Sequence, residues 1–179
     1  MNKPFLFIIS GRPGSGKTTL AQLLSRELRC PLISRDQIKE GYTRTVNLPH
    51  REQDEEGKMK VFSAYFESID LYLSKGISLI AESAFQHRVW FPRYETLSSL
   101  AEIRQLICTV DPRLGNRRFL ERKTQDPLRA YYHGDDVIQT EDDQYPYEPP
   151  ALPVPTLQVD TTNTYNPSLE AIYSFLLSS

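Results

Sequence analysis

Cysteine, histidine, long apolar runs and net charge are all scarce in this chain, and each shortage removes a class of function. The two cysteines, Cys30 and Cys108, stand far apart in apolar surroundings. Neither belongs to a CxxC pair or has a histidine at ligand spacing, so both read as buried free thiols suited to a reducing cytosol. The three histidines, His50, His87 and His133, show no metal-ligand spacing either. No apolar stretch is long enough to cross a bilayer, and the run 5–9 is too short for the core of a signal peptide. The expectation is a soluble, cytoplasmic protein that makes no membrane contact. A formal net charge of −2 offers no bulk attraction to nucleic acid. No feature specifies an oligomeric state.

Present instead are the length and rhythm of an α/β domain. A chain of 179 residues buries roughly two-thirds to 70% of its unfolded surface without help from a disulfide or metal. Apolar runs predict strands at 5–10, 31–34, 77–82, 103–110 and 156–160, with the little alternation expected of strands covered on both faces. Helical patterns lie between them. Leu20, Leu23, Leu24 and Leu28 mark one helix; Phe62, Tyr65, Phe66, Ile69 and Leu73 mark another, opened by Asp54-Glu55-Glu56 and stopped by Gly76. A third is predicted over 87–101. A last one is predicted from Leu169, Ile172, Tyr173, Leu176 and Leu177, with Asn166 as cap and Pro167 in its first turn. This alternation predicts a five-stranded parallel sheet with helices on both faces, in one domain over 1–179. The prolines between 149 and 155 forbid helix and predict an extended connection into the last strand.

The chemistry starts at Gly11-Arg12-Pro13-Gly14-Ser15-Gly16-Lys17-Thr18, which matches G-x-x-x-x-G-K-[ST] in full. A phosphate chain needs many N–H donors at short range, and only a Gly-rich loop lets the backbone come that close. The loop follows an apolar strand and opens an amphipathic helix whose positive dipole end adds to the cradle. Lys17, at the exposed mouth of the loop, is expected to reach the β- and γ-phosphates of ATP, Thr18 to offer its hydroxyl to Mg²⁺, and Thr19 to complete the nucleotide site.

Ser34-Arg35-Asp36-Gln37-Ile38-Lys39 follows the second strand. Carboxyl ends of neighbouring parallel strands open onto one crevice, so Asp36 can face a γ-phosphate held by the first loop. A carboxylate there can accept the proton of an attacking hydroxyl, while Arg35 or Lys39 holds an anionic acceptor. The plainer alternative is that Asp36 caps the next helix. At these residues the chain resembles a branch of P-loop kinases, AAA-domain-like ATP-binding proteins that include polynucleotide 5′-kinase, chloramphenicol phosphotransferase and, more distantly, zeta toxins and gluconate kinases. The resemblance implies a three-layer P-loop kinase fold with a basic lid. It makes Asp36 the base or hydroxyl-orienting residue and gives Lys39 the place of an acceptor-gripping arginine. Lysine cannot make that arginine's bidentate fork, which argues against a polynucleotide acceptor.

Glu82, ending the third predicted strand, stands where such kinases carry a Walker-B carboxylate, and is expected to order water on Mg²⁺ or to touch substrate. Phe85, His87, Arg88 and Trp90 can line an acceptor pocket, or Phe85 and Trp90 can belong to the core. The segment 113–129 carries six basic and two acidic side chains, and resembles the lid of these kinases, over approximately 112–135. Arg118 and Arg122, at i and i+4, are expected to point at one phosphate chain and to act mainly on turnover. Arg129, His133, Asp135 and Asp136 are read as part of the same flap. The loop Val159-Asp160-Thr161-Thr162 resembles the one that borders adenine. The reading is an ATP- and Mg²⁺-dependent phosphotransferase acting on a hydroxyl of a small molecule. Its rivals are a nucleic-acid 5′-hydroxyl kinase and a nucleotide-binding regulatory module. The absence of an Asn-Lys-x-Asp motif weakens a GTPase version of the latter.

Overall fold

The structure, a computed structural model, describes residues 3–134 and 138–178; Asp135 and Asp136 of the expected flap lie outside them. Five strands, β1 (Phe5–Gly11), β2 (Leu32–Ser34), β3 (Leu79–Glu82), β4 (Glu102–Thr109) and β5 (Thr156–Asp160), form one all-parallel sheet in the order β2-β3-β1-β4-β5. The helices are α1 (Lys17–Leu28), α2 (Arg35–Val46), α3 (Glu55–Ser74), α4 (His87–Trp90), α5 (Tyr94–Leu100), α6 (Pro112–Gln125), α7 (Arg129–His133) and α8 (Leu169–Leu177).

Alternation along β1 separates two cores. Leu6 and Ile8 face Tyr65, Phe66, Ile69 and Leu73 of α3 together with Trp90 and Leu97. Phe7 and Ile9 face Leu20, Ala21 and Leu24 of α1 together with Ile172 and Leu176 of α8. These side chains are essentially inaccessible to solvent, and each of the leucines, isoleucines and phenylalanines contributes roughly 1.5–3 kcal/mol from burial. The result is the expected three-layer α/β sandwich. Cys108 is buried in the second core, while Cys30 is only half-buried, and both are free thiols.

Local signals explain most boundaries. The Asp54 carboxylate accepts from Gly57 N at 2.8 Å to open α3, and Gly76, with φ +73°, turns the chain away at its end. Two boundaries differ from expectation. The helix predicted over 87–101 is broken into α4, a 3₁₀ turn at Phe91–Arg93, and α5, because Pro92 lacks an N–H and forces the local pattern to change. The cap of α8 is Ser168, whose hydroxyl accepts from Ala171 N at 3.4 Å. Asn166 instead exchanges backbone hydrogen bonds with Asp160, which leaves Pro167 ahead of the helix.

The register carries the functional consequence. Ser34 of β2 pairs with Glu82 of β3, and Glu82 pairs with Ile9 of β1, so the carboxyl ends of three neighbouring strands finish level. The chain leaves β1 toward β2 and leaves β4 toward β5, and the diverging loops open a crevice above them. Among the described residues no helix is long and apolar enough to cross a membrane.

Candidate active site

Above the sheet, the loop between β1 and α1 turns through Gly14 and Gly16 at φ +79° and +74°, conformations that glycine adopts at little cost. The Ser15 hydroxyl, buried in this loop, has no hydrogen-bond partner among the described residues. A buried hydroxyl without a partner costs about 1–3 kcal/mol, which a bound oxyanion would remove. Together the left-handed glycines and the orphaned hydroxyl fit a phosphate chain.

Glu82 is the hub beneath the loop. It is 1% exposed. One carboxylate oxygen accepts from Thr18 Oγ1 at 3.2 Å and lies 3.8 Å from Lys17 Nζ. The other accepts from Ser34 Oγ at 2.7 Å. Lys17 is therefore not at an exposed mouth: it is 7% exposed, drawn down by the buried carboxylate at the end of β3. The described residues hold no cluster of three or more metal-binding side chains. The set at hand, a threonine hydroxyl and one carboxylate beside a phosphate cradle, suits a hard cation such as Mg²⁺, which keeps much of its water and binds through one or two carboxylates plus phosphate oxygens.

Two cavities flank the loop. The first, about 460 Å³, is lined by Gly14, Gly16, Thr19, Arg118 and Arg122 and by Thr161, Asn163, Thr164 and Tyr165 of the β5–α8 connection. Arg118 is held at its edge by contacts to Thr161 O and Thr162 O, each at 3.0 Å, and to Thr161 Oγ1 at 3.4 Å. Thr161 in turn donates to Ser15 O at 2.9 Å, which ties the 159–162 loop to the phosphate loop. The second cavity, about 410 Å³, is lined by Pro13, Lys17, Thr18, Ser34, Arg35, Asp36, Lys39 and Glu40, and by Phe119, Arg122, Arg129, His133 and Tyr145. Arg122 borders both.

Of the residues singled out for phosphate, metal or acceptor roles, Gly11, Arg12, Ser15, Glu82, Phe85, His87, Arg88 and Trp90 line neither cavity. Arg12 reaches α6 instead, its Nη2 donating to Oδ1 of the buried Asn116 at 2.6 Å. Gly11 is packed against Cys108 O, where a Cβ would approach to 2.6 Å. Trp90 is fully buried among Tyr65 and Phe66, so its place is the core. Phe85 packs beside them.

Asp36 stands in the first turn of α2 and makes no capping bond. Its side chain keeps 46% of its surface open to the cleft. Burial pushes the carboxyl up, but Lys39, Lys17, Arg35 and His133 more than offset that and hold it at about 2. It is ionised throughout the physiological range. His133, on α7, has its Nε2 2.7 Å from Glu40 Oε1. Burial, reinforced by Lys39, Arg129 and Arg35 against Asp36, lowers its imidazole to about 4, so the neutral ring donates to Glu40.

The sequence reading assigned the segment 138–150 no part in the site. It straps the cleft. Asn116 Nδ2 donates to Glu141 O and Asp143 O at 2.9 and 2.8 Å, and Tyr147 Oη meets Ser10 Oγ at 2.8 Å. Tyr145 and Tyr147 are half-buried while Gln144, Pro146 and Glu148 are exposed. That period of two is the signal that could have found it.

The model of the AAA domain family matches residues 6–139. Comparison with curated proteins gives no match. Among solved structures, a candidate kinase from Chloroflexus aurantiacus J-10-fl has a TM-score of 0.82 at 27% identity, over 98% of this chain and 97% of that one. The APS kinase CysC of Mycobacterium tuberculosis, solved with AMPPNP and APS, has a TM-score of 0.63 at 14% identity, over 99% and 100%. A chain of the Pnkp1/Rnl/Hen1 RNA repair complex has 0.60 at 20% identity, over 70% of this chain and 40% of that one. At their identities the last two show a shared fold.

Proposed function

This chain belongs to the AAA domain family, in its P-loop kinase-like group, and on that premise we propose that it moves the γ-phosphate of ATP to a hydroxyl of a small molecule. The observation that carries the reading is Asp36, an ionised carboxylate lining the same cavity as Lys17 and Thr18 of the phosphate loop.

The nucleotide occupies the first cavity and the phosphate loop, its base beside Arg118 and the 159–162 loop. Its γ-phosphate lies at the boundary with the second cavity, where Lys17 and Arg122 face it. Phosphoryl transfer needs positioning and charge stabilisation more than covalent help from protein. Thr18 and Glu82 would hold Mg²⁺, which supplies charge neutralisation on the phosphate oxygens. Asp36 accepts the hydrogen bond of the attacking hydroxyl and aims its oxygen. A carboxyl held at about 2 is a weak proton acceptor near neutrality, so orientation is its principal contribution and proton removal follows late. The whole is one domain over 1–179, with 112–135 as the lid that brings Arg122 over the transferring group.

The test is coupled ADP release across sugars, nucleosides, antibiotics and oligonucleotide 5′-hydroxyls. Acceptor-stimulated release with at least one alcohol is the expected result. Nucleotide binding with slow hydrolysis that no acceptor stimulates would instead assign a regulatory nucleotide-binding module.

A further inference from the structure

We propose that Ser34 is a positioning residue for the reaction: its hydroxyl aims the Glu82 carboxylate at the cation that accompanies the nucleotide. The inference rests on the phosphotransfer reading, in which Thr18 and Glu82 hold Mg²⁺, and deepens it by naming the residue that orients the carboxylate. Ser34 ends β2, Glu82 ends β3, and the two are partners in the parallel register. Partners in register present their side chains to the same face of the sheet. Paired strands, and not a loop, therefore bring hydroxyl and carboxylate together. Ser34 Oγ donates to Glu82 Oε2 at 2.7 Å, with both residues almost wholly out of solvent.

The hydroxyl has left the task that its position ordinarily gives it. Ser34 is the N-cap residue of α2, with the extended backbone (φ −105°, ψ 124°) that N-cap residues adopt. A serine there ordinarily accepts from an N–H of the first helical turn, as Ser168 does for α8. Ser34 makes no such bond. The helix forgoes its side-chain cap, and the single hydroxyl proton goes to a buried carboxylate instead.

Glu82 needs an orienting partner more than a shorter acid would. Three rotatable bonds separate its carboxylate from the backbone, and the last of them has only a broad torsional preference. Mg²⁺ demands near-ideal octahedral geometry, so a ligand free to swivel serves it poorly. Ser34 holds Oε2, which leaves Oε1 on the side of the phosphate loop, 3.2 Å from Thr18 Oγ1 and 3.8 Å from Lys17 Nζ. The two oxygens are thus divided, one to the scaffold and one to the loop. Groups that hold a metal ligand from behind typically change metal affinity by roughly 10–100-fold when removed.

The experiment is calorimetric titration of the full chain with AMPPNP, in EDTA and over a series of Mg²⁺ concentrations. Mg²⁺ should tighten AMPPNP binding to the wild type. Ser34→Ala should raise the Mg²⁺ concentration that gives half of this tightening by roughly tenfold, while affinity in EDTA stays at the wild-type value. Ser34→Thr keeps the hydroxyl and should restore the wild-type midpoint. Ser34→Gly separates the proposed role from helix capping, because glycine replaces serine at an N-cap with little loss yet has no hydroxyl. A positioning role predicts equal Mg²⁺ shifts for Ser34→Gly and Ser34→Ala, and Ser34→Gly supplies the reading should Ser34→Ala not fold. An unchanged midpoint in a folded variant without the hydroxyl, or a Ser34→Thr midpoint shifted as far as that of Ser34→Ala, overturns the proposal and leaves the nucleotide site intact. Wild-type AMPPNP binding that Mg²⁺ does not tighten overturns the Thr18–Glu82 cation reading, and this proposal with it. No AMPPNP binding at all overturns the phosphotransfer reading itself.

Discussion

Gly14 of the phosphate loop and Gly115 of α6 approach so closely that a Cβ on Gly14 would lie 2.0 Å from the Gly115 carbonyl oxygen. The base of α6 is therefore seated directly on the loop that cradles phosphate, and Arg12 reinforces the contact through Asn116, one residue further on. Gly14→Ala meets this clash and also a φ of +79°, itself costing roughly 1–2 kcal/mol for a residue with a side chain. We expect a lowered melting temperature and at least about a tenfold loss of AMPPNP affinity, read by thermal denaturation and calorimetry. Wild-type affinity in the alanine variant would show that the α6 seat has no part in shaping the cradle.

Lys17→Ala should sharply reduce transfer and also reduce stability, because Lys17 is buried against Glu82. Its loss leaves a buried carboxylate with only the Thr18 and Ser34 hydroxyls. Breaking a buried pair costs roughly 3–5 kcal/mol; at 3.8 Å the effect should fall at or below the lower end. Turnover should drop by about 10²–10³, the usual effect of removing one charge-stabilising donor. Near wild-type turnover in a folded variant would refute the role given to the loop.

Arg118 and Arg122 share a helical face, yet their surroundings separate them. Arg118 is fixed to the 161–162 backbone and borders only the first cavity, whereas Arg122 borders both. Sequence spacing suggested one role for the pair, acting mainly on turnover. The geometry divides it: Arg118→Ala should raise the KM for ATP by roughly tenfold with kcat little changed, and Arg122→Ala should lower kcat more than it changes nucleotide affinity. Equal profiles for the two variants would argue against the division.

The strands and the phosphate loop were legible because each is a local pattern: an apolar run between breakers, or glycines at fixed spacing. Parallel pairing placed Asp36 near Lys17 by topology alone. What stayed hidden is contact between segments distant in sequence. Asn116 makes three hydrogen bonds, to Arg12 and to the 141–143 backbone, yet nothing about an asparagine inside a basic helix announces a buried clamp. Tyr145 was hidden in an acidic, proline-flanked stretch whose composition reads as surface connection. The exposure assigned to Lys17 was wrong for the same reason, since the carboxylate that draws it inward lies sixty-five residues later at Glu82.

His133 gives the fold a pH-dependent contribution with a definite sign. Its folded value of about 4 lies below the ordinary ~6.5, so between those values the unfolded chain binds more protons and stability rises with pH. The His133 contribution is complete above about pH 6.5 and is lost as pH falls toward 4. Glu40, whose carboxyl is raised chiefly by burial, works in the opposite sense over the carboxylate range, where the folded chain holds the extra proton. Comparing melting temperatures of wild type and His133→Gln from pH 4 to 7 isolates the histidine. The wild type should lose stability on acidification more steeply than the variant; parallel curves would show that His133 titrates at its ordinary value.

Asp36→Asn decides whether this carboxylate orients an acceptor or merely decorates a helix. The side chain makes no capping bond, so a local role for α2 predicts near-normal behaviour from the isosteric amide. An orienting role predicts otherwise. The amide can still accept a hydrogen bond but has lost the charge that polarises the hydroxyl, and transfer should fall by about 10²–10⁴, nearer the lower figure because a group held at about 2 is a weak base. ATP affinity should be nearly unchanged, since Asp36 does not line the first cavity, where the nucleotide is held. The pH profile sharpens the distinction: with Asp36 ionised down to about pH 2, its protonation cannot produce an acid limb between pH 5 and 8, and any limb there must belong to another group and persist in Asp36→Asn. Acid stability provides a second readout. A carboxyl held below its ordinary ~3.9 contributes stability that is present above that value and lost as pH falls toward about 2, and the amide should abolish that component. A variant that phosphorylates its acceptor at the wild-type rate, whatever its acid stability, would leave Asp36 with no role in transfer.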